Sequence, residues 1–280
     1  MWRARPGIAL LLAALLAGCA SSSRPPPEPR LRLQAQDAEA SGARRYAQGE
    51  YLAAAQHFSE ALRLRLSLDD VPAAARNRLQ LAQTRLALGQ AQLALDEATQ
   101  VQDKGLQLAA GLLQVQARLA LGQVDSARQQ LVPLEAACPA ACPERGRVLL
   151  LQARTAWAAG DVAQTVRLCT AAQPLLRERG EEREAANASR LLAAAQLQSG
   201  DAAAALSAAQ AALAIDRQLA LPEKIARDWL LIGDIQRLSA GVSHGVDARA
   251  AYLRARTVAQ AARLNDLTQL AEQALQETSR

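Results

Sequence analysis

From Gln34 to the C-terminus the apolar residues recur three and four positions apart, the period that lines one face of an α-helix. Glycines at 49, 89, 122, 160, 200 and 241 interrupt this pattern, separated by 40, 33, 38, 40 and 41 residues. Such a glycine can end one helix in a left-handed turn, and a polar residue after it can open the next, as in Gly49-Glu50-Tyr51, Gly160-Asp161-Val162 and Gly200-Asp201-Ala202. The interval predicts helical hairpins stacked as a solenoid, in which each unit packs only on its neighbours. Between units, Ser67-Leu68-Asp69-Asp70-Val71-Pro72 offers an Asp cap and a proline to start the following helix. Pro133 and Pro174 fall inside second helices and are expected to shorten or kink them. Leu267, Leu270, Ala271, Ala274 and Leu275 predict a capping helix within residues 264–280.

Composition sharpens this to an all-α chain. Half the residues are apolar but only 2% are aromatic, so the interior must be built of Leu and Ala, which suits closely approached helices and suits strands poorly.

The repeated units resemble the tetratricopeptide family. In the first, Gly42 falls where the first helix needs a small residue, Gly49 makes the turn, and Ala54, Phe58, Ala61 and Leu62 follow at the family spacing. The pattern returns as Gly200, Ala205, Ala209, Ala212, Leu213 and as Trp229, Gly233, Ala248, Tyr252, Ala255; in this last unit the turn is longer, which predicts a bulged loop around 241–245. The unit at Gly160 departs most, with Thr165 and Cys169 in the Ala and large apolar positions. The resemblance covers the array 34–263 and implies a right-handed superhelical solenoid of about six hairpins whose first helices line a concave groove. Projected onto this chain, the family's groove positions are Arg76, Gln83, Gln116, Arg147, Arg154, Trp157, Asn187, Arg190, Arg227, Asp234 and Arg237. That set suits an acidic or C-terminal carboxylate-bearing peptide, although the family's carboxylate clamp of Lys and Asn pairs is not matched.

The N-terminus sets the expected location. Arg3 and Arg5 precede the apolar run Ile8 to Leu16, and Leu16-Ala17-Gly18-Cys19 closes it. This resembles a bacterial lipoprotein signal, which implies a signal peptide over 1–18, acylation of Cys19, and a Ser/Pro-rich tether over 19–33. Nine apolar residues are too few to span a bilayer, so lipid at Cys19 is the expected membrane element. No Asp follows Cys19, which favours the periplasmic face of the outer membrane.

Removal of Arg3 and Arg5 lowers the formal charge from +5 to +3, too modest to suggest a nucleic-acid partner. Cys138 and Cys142 could form a small disulfide loop in the oxidising periplasm, remain free, or ligate metal; the last lacks further ligands, since His57 and His244 are remote in sequence. No metal, cofactor or small-molecule substrate is therefore expected. Gly241-Val242-Ser243-His244-Gly245 imitates a serine nucleophile elbow, but a helix precedes it and no later histidine follows. The expectation is a non-enzymatic scaffold for envelope protein complexes. A pilotin-like assembly factor for a pilus or secretion machine, and a regulatory subunit of a peptidoglycan-active enzyme, are the alternatives.

Overall fold

The structure, a computed structural model, describes residues 29–239 and 242–278, without the side chains of 242–246. The signal peptide, Cys19 and most of the tether lie outside the described residues. Among those described there are thirteen α-helices and no strand. They are α1 (Arg30–Ala47), α2 (Tyr51–Ser67), α3 (Val71–Ala87), α4 (Ala91–Thr99), α5 (Gln107–Ala120), α6 (Val124–Ala137), α7 (Arg145–Ala158), α8 (Val162–Glu178), α9 (Glu182–Gln198), α10 (Ala202–Gln218), α11 (Pro222–Leu238), α12 (Val242–Ala261) and α13 (Asn265–Glu277). Consecutive helices pack on one another along the whole chain, giving six hairpins from α1/α2 to α11/α12, with α13 against α11 and α12. The chain has a tetratricopeptide-like, all-α solenoid fold.

Two kinds of glycine build the hairpins. Gly49, Gly89, Gly122, Gly160 and Gly200 have φ of 73° to 86°, and a Cβ at any of them would meet nothing within 4 Å, so backbone conformation rather than space demands glycine. Gly42 and Gly233 are helical and crowded: an added Cβ would stand 2.7 Å from the Phe58 ring and 2.4 Å from the Tyr252 ring. These rings fill the crossings, and Ala54 and Ala61 on the helix of Phe58, like Ala248 and Ala255 on that of Tyr252, are fully buried. Thr165 and Cys169 occupy equally buried slots in the fourth hairpin, where Thr165 donates to the Asp161 carbonyl at 2.8 Å and burial pushes the Cys169 thiol up to about 12.

Caps follow side-chain reach. Asp70, Asp161 and Asp201 accept from the amides of Ala73, Gln164 and Ala204, whereas Glu50, Gln90 and Gln123 make no such bond because their extra methylene suits the geometry poorly.

Three expectations are corrected. α1 begins at Arg30, inside the stretch assigned to the tether, with the Pro29 carbonyl accepting from the Arg32 and Leu33 amides. α6 and α8, of 14 and 17 residues, continue past Pro133 and Pro174, both on exposed faces where water can satisfy the carbonyl each ring strands. Residues 242–245, expected in a bulged loop, are the first turn of α12, since helix satisfies backbone groups that a loop would leave open; Ala240 and Gly241 lie outside the described residues. The elbow-like sequence therefore runs into one helix after another, without a strand. Finally, only part of the projected groove set reaches the groove, as described below.

Cys138 and Cys142 are joined as a disulfide with Cα atoms 5.1 Å apart, bracing the connection between α6 and α7. Their sulfurs are thus committed to each other although the Glu144 carboxylate lies close by.

Two polar junctions link hairpins. In the first, Arg65 of α2 donates to Glu39 of α1 at 2.8 Å, and Asn77 of α3 donates to the same carboxylate at 2.9 Å. In the second, Arg190 of α9 donates to Asp216 of α10 and, at 2.6 Å, to Asp228 of α11.

Candidate protein-binding groove

The first helices of the hairpins turn one face inward and enclose a concavity of about 550 Å³, within the range of ligand-sized cavities. Its walls are leucines in regular register. Leu79, Leu112 and Leu150 each stand ten residues before a turn glycine, with Leu113 and Leu151 beside two of them. Gln83, Gln116 and Arg154 stand six before the same glycines and supply the polar rim.

Of the projected positions, Gln83, Gln116, Arg147, Arg154 and Asn187 line this cavity. The other six do not. Arg76 is exposed on the second turn of α3; Trp157 sits half-buried at the end of α7; Arg190 is held in the junction with Asp216 and Asp228. Arg227 pairs with Glu223 at 3.0 Å, and the Tyr252 hydroxyl donates to Asp234 at 2.7 Å while accepting from Arg237 at 3.3 Å. Tyr46, in the register of Trp157 three residues before its turn glycine, is the aromatic group that reaches the groove, together with Tyr51.

The charge of the lining is positive on balance, with Arg147, Arg154, Arg183 and Lys224 against Glu184 and Glu223. Arg147 is neutralised by Glu181 at 2.6 Å, and Glu184 accepts from Asn187 at 3.2 Å. Arg154 and Lys224 make no ion pair among the described residues. Burial lowers the Lys224 amine from its usual range, Glu223 opposes this, and Arg190, Arg227 and Arg154 add to it. An incoming anion would relieve that repulsion.

Arg183 and Lys224 were not among the projected positions. Lys224 carried a legible signal, as a lysine on the first turn of a first helix, the same turn that places Arg147. Arg183, in the first turn of α9, carried the same signal, but its contact with Tyr46 and Tyr51, four hairpins earlier, was not legible.

No family model matches the chain, and no curated protein matches its sequence. Solved structures are similar in fold at low identity. A Rap protein complexed with competence and sporulation factor superposes with a TM-score of 0.63 at 11% identity, over 90% of this chain and 76% of the other. The apo form of RapI gives 0.60 at 11% identity, over 89% and 71%. Aspartyl phosphate phosphatase F from Bacillus subtilis gives 0.57 at 13% identity, over 89% and 71%.

Proposed function

We propose that this protein is a lipid-anchored scaffold at the periplasmic face of the bacterial outer membrane, whose groove holds an acidic or carboxylate-bearing segment of an envelope protein. The observation that carries the reading is the pair Arg154 and Lys224, two cations that face a leucine-walled cavity without an ion-pair partner among the described residues. The anchor rests on Leu16-Ala17-Gly18-Cys19, and no described helix is long and apolar enough to cross a membrane. That a similarly folded Rap protein forms a complex with competence and sporulation factor supports a binding role.

Crosslinking in the native cell followed by mass spectrometry identifies the bound protein, and Arg154→Glu tests the surface. Replacing attraction by repulsion should weaken capture by about tenfold or more, since a charge-assisted hydrogen bond contributes about 1.5 to 3 kcal/mol. High salt should narrow the difference. Unaltered capture by Arg154→Glu, together with loss of capture by Arg167→Glu on the exposed face of α8, would move the binding surface to the outside of the coil. Cys19→Ser should release the protein from the membrane fraction; flotation of that variant with outer membranes would remove the anchor.

A further inference from the structure

Tyr46 and Tyr51 flank the turn of the first hairpin, and Arg183 lies in the first turn of α9, in the fifth. Arg183 Nη1 donates to the Tyr51 hydroxyl at 3.1 Å, its guanidinium carbon is 5.7 Å from the centroid of the Tyr46 ring, and the two rings are 5.3 Å apart. The hydrogen bond spans 132 positions. By contrast, the contacts of the two junctions, Asn77 to Glu39 and Arg190 to Asp228, span 38. The coil therefore brings its first unit round to its fifth, and the three residues that meet there all line the cavity.

We infer that the Arg183–Tyr46–Tyr51 contact is an autoinhibitory clasp: it holds the coil closed around the groove, and a carboxylate entering the groove opens it by drawing Arg183 from the tyrosines. The inference rests on the groove reading above. Its physical basis is a competition for one guanidinium. A phenol oxygen is a neutral acceptor and an aromatic face a weak partner for a cation, whereas a carboxylate accepts a bidentate, charge-assisted pair. Burial raises the Tyr46 hydroxyl above its usual range, so the ring stays neutral and cannot hold Arg183 as an anion would. Between the two halves of the clasp, α4 is only nine residues long and is followed by a non-helical stretch, 100–103.

The test uses the full chain with a donor and an acceptor dye attached through non-natural azido residues at Gln48 and Arg179, both exposed and on opposite sides of the clasp. The unmodified protein should show a high-efficiency energy-transfer population. Arg183→Ala should lose that population with helicity unchanged, and Tyr51→Phe, which removes one hydroxyl and keeps the ring, should lose part of it. Should Arg183→Ala fail to fold, Tyr51→Phe alone decides. Hexaglutamate at matched ionic strength should shift the unmodified protein toward the open population and leave Arg183→Ala where it is. Unchanged transfer in a folded Arg183→Ala protein overturns the clasp, and unchanged transfer on adding hexaglutamate overturns its release by carboxylate. Either failure leaves the groove to be judged by Arg154→Glu, which needs no change of shape.

Discussion

The two polar junctions occupy the same three positions in different hairpins. Glu39, Arg65 and Asn77 are separated by 26 and 12 residues, and so are Arg190, Asp216 and Asp228, but the charges are exchanged: the first helix carries the acid in one and the base in the other. In the first junction the third position is a neutral amide, and the additional acid that Arg65 meets, Asp70 at 3.0 Å, is about a third exposed and caps α3. In the second, both acids are buried, at 1% and 0% exposure, and share one guanidinium. The excess negative charge is thus left to water in one place and enclosed in the other. Accordingly Glu39, although burial pushes its carboxyl up, is held below the usual range by donation from Arg65 and Asn77. Asp228 is raised to about 7, by burial first and by Asp216, against the pull of Arg190, and its Oδ2 has no hydrogen-bond donor. Identical placement along the chain does not imply identical energetics; access to solvent decides.

The largest test of this difference is to remove each arginine. Arg190→Ala leaves two enclosed carboxylates without a cation and should cost about 3 to 5 kcal/mol in urea unfolding at pH 8, while Arg65→Ala should cost clearly less because Glu39 keeps Asn77 and some water. Equal losses would show that burial does not distinguish the junctions.

Next, Asp228→Asn gives the second junction the composition of the first. It should stabilise the protein at pH 8 by about 1 to 3 kcal/mol, the order of relieving one unsatisfied buried group. The pH profile follows from the shift. Because the folded Asp228 binds its proton more tightly than the unfolded chain, its contribution is complete below about pH 4 and is lost as pH rises through about 7. Glu39 runs the other way, contributing above its unfolded value and failing only as pH falls through its lowered one. Hydrogen exchange at pH 8 and pH 5 should therefore show stronger protection of α10 and α11 at the lower pH and little change in α1 and α3. An Asp228→Asn protein that keeps this dependence would move its source elsewhere.

The smallest effect is the reciprocal one. Asn77→Asp should destabilise the first junction by about 1 kcal/mol at pH 8 and introduce a weak acid-side recovery, muted because Glu39 reaches water. Thermal unfolding at pH 5 and pH 8 measures both.

Much of the fold was legible because its demands are local. A turn that requires positive φ shows as glycine, a crowded crossing shows as Gly42 against Phe58 or Gly233 against Tyr252, and a helix start shows as Asp161 or Asp201. The groove was legible only in part. Reading each first helix for polar residues found Gln83, Gln116, Arg147, Arg154 and Asn187, but it passed over the leucines ten before the turn glycines, since a leucine on a helix looks like core. That one register position holds Leu79, Leu112 and Leu150 at the cavity, yet Glu39 and Arg190 in the junctions, and nothing in a single repeat tells these uses apart.

By itself, then, the sequence determined that the chain is a series of helical hairpins, where the first five of them turn, and which small and large residues meet within a hairpin. These depend on backbone conformation and on neighbours a few residues to one repeat away. The tertiary structure alone decided which first-helix side chains face the cavity, that Asp216 and Asp228 share Arg190 without water, and that Arg183 closes on Tyr46 and Tyr51. Those outcomes depend on how small rotations between successive units add up around the coil, and no single repeat contains that sum.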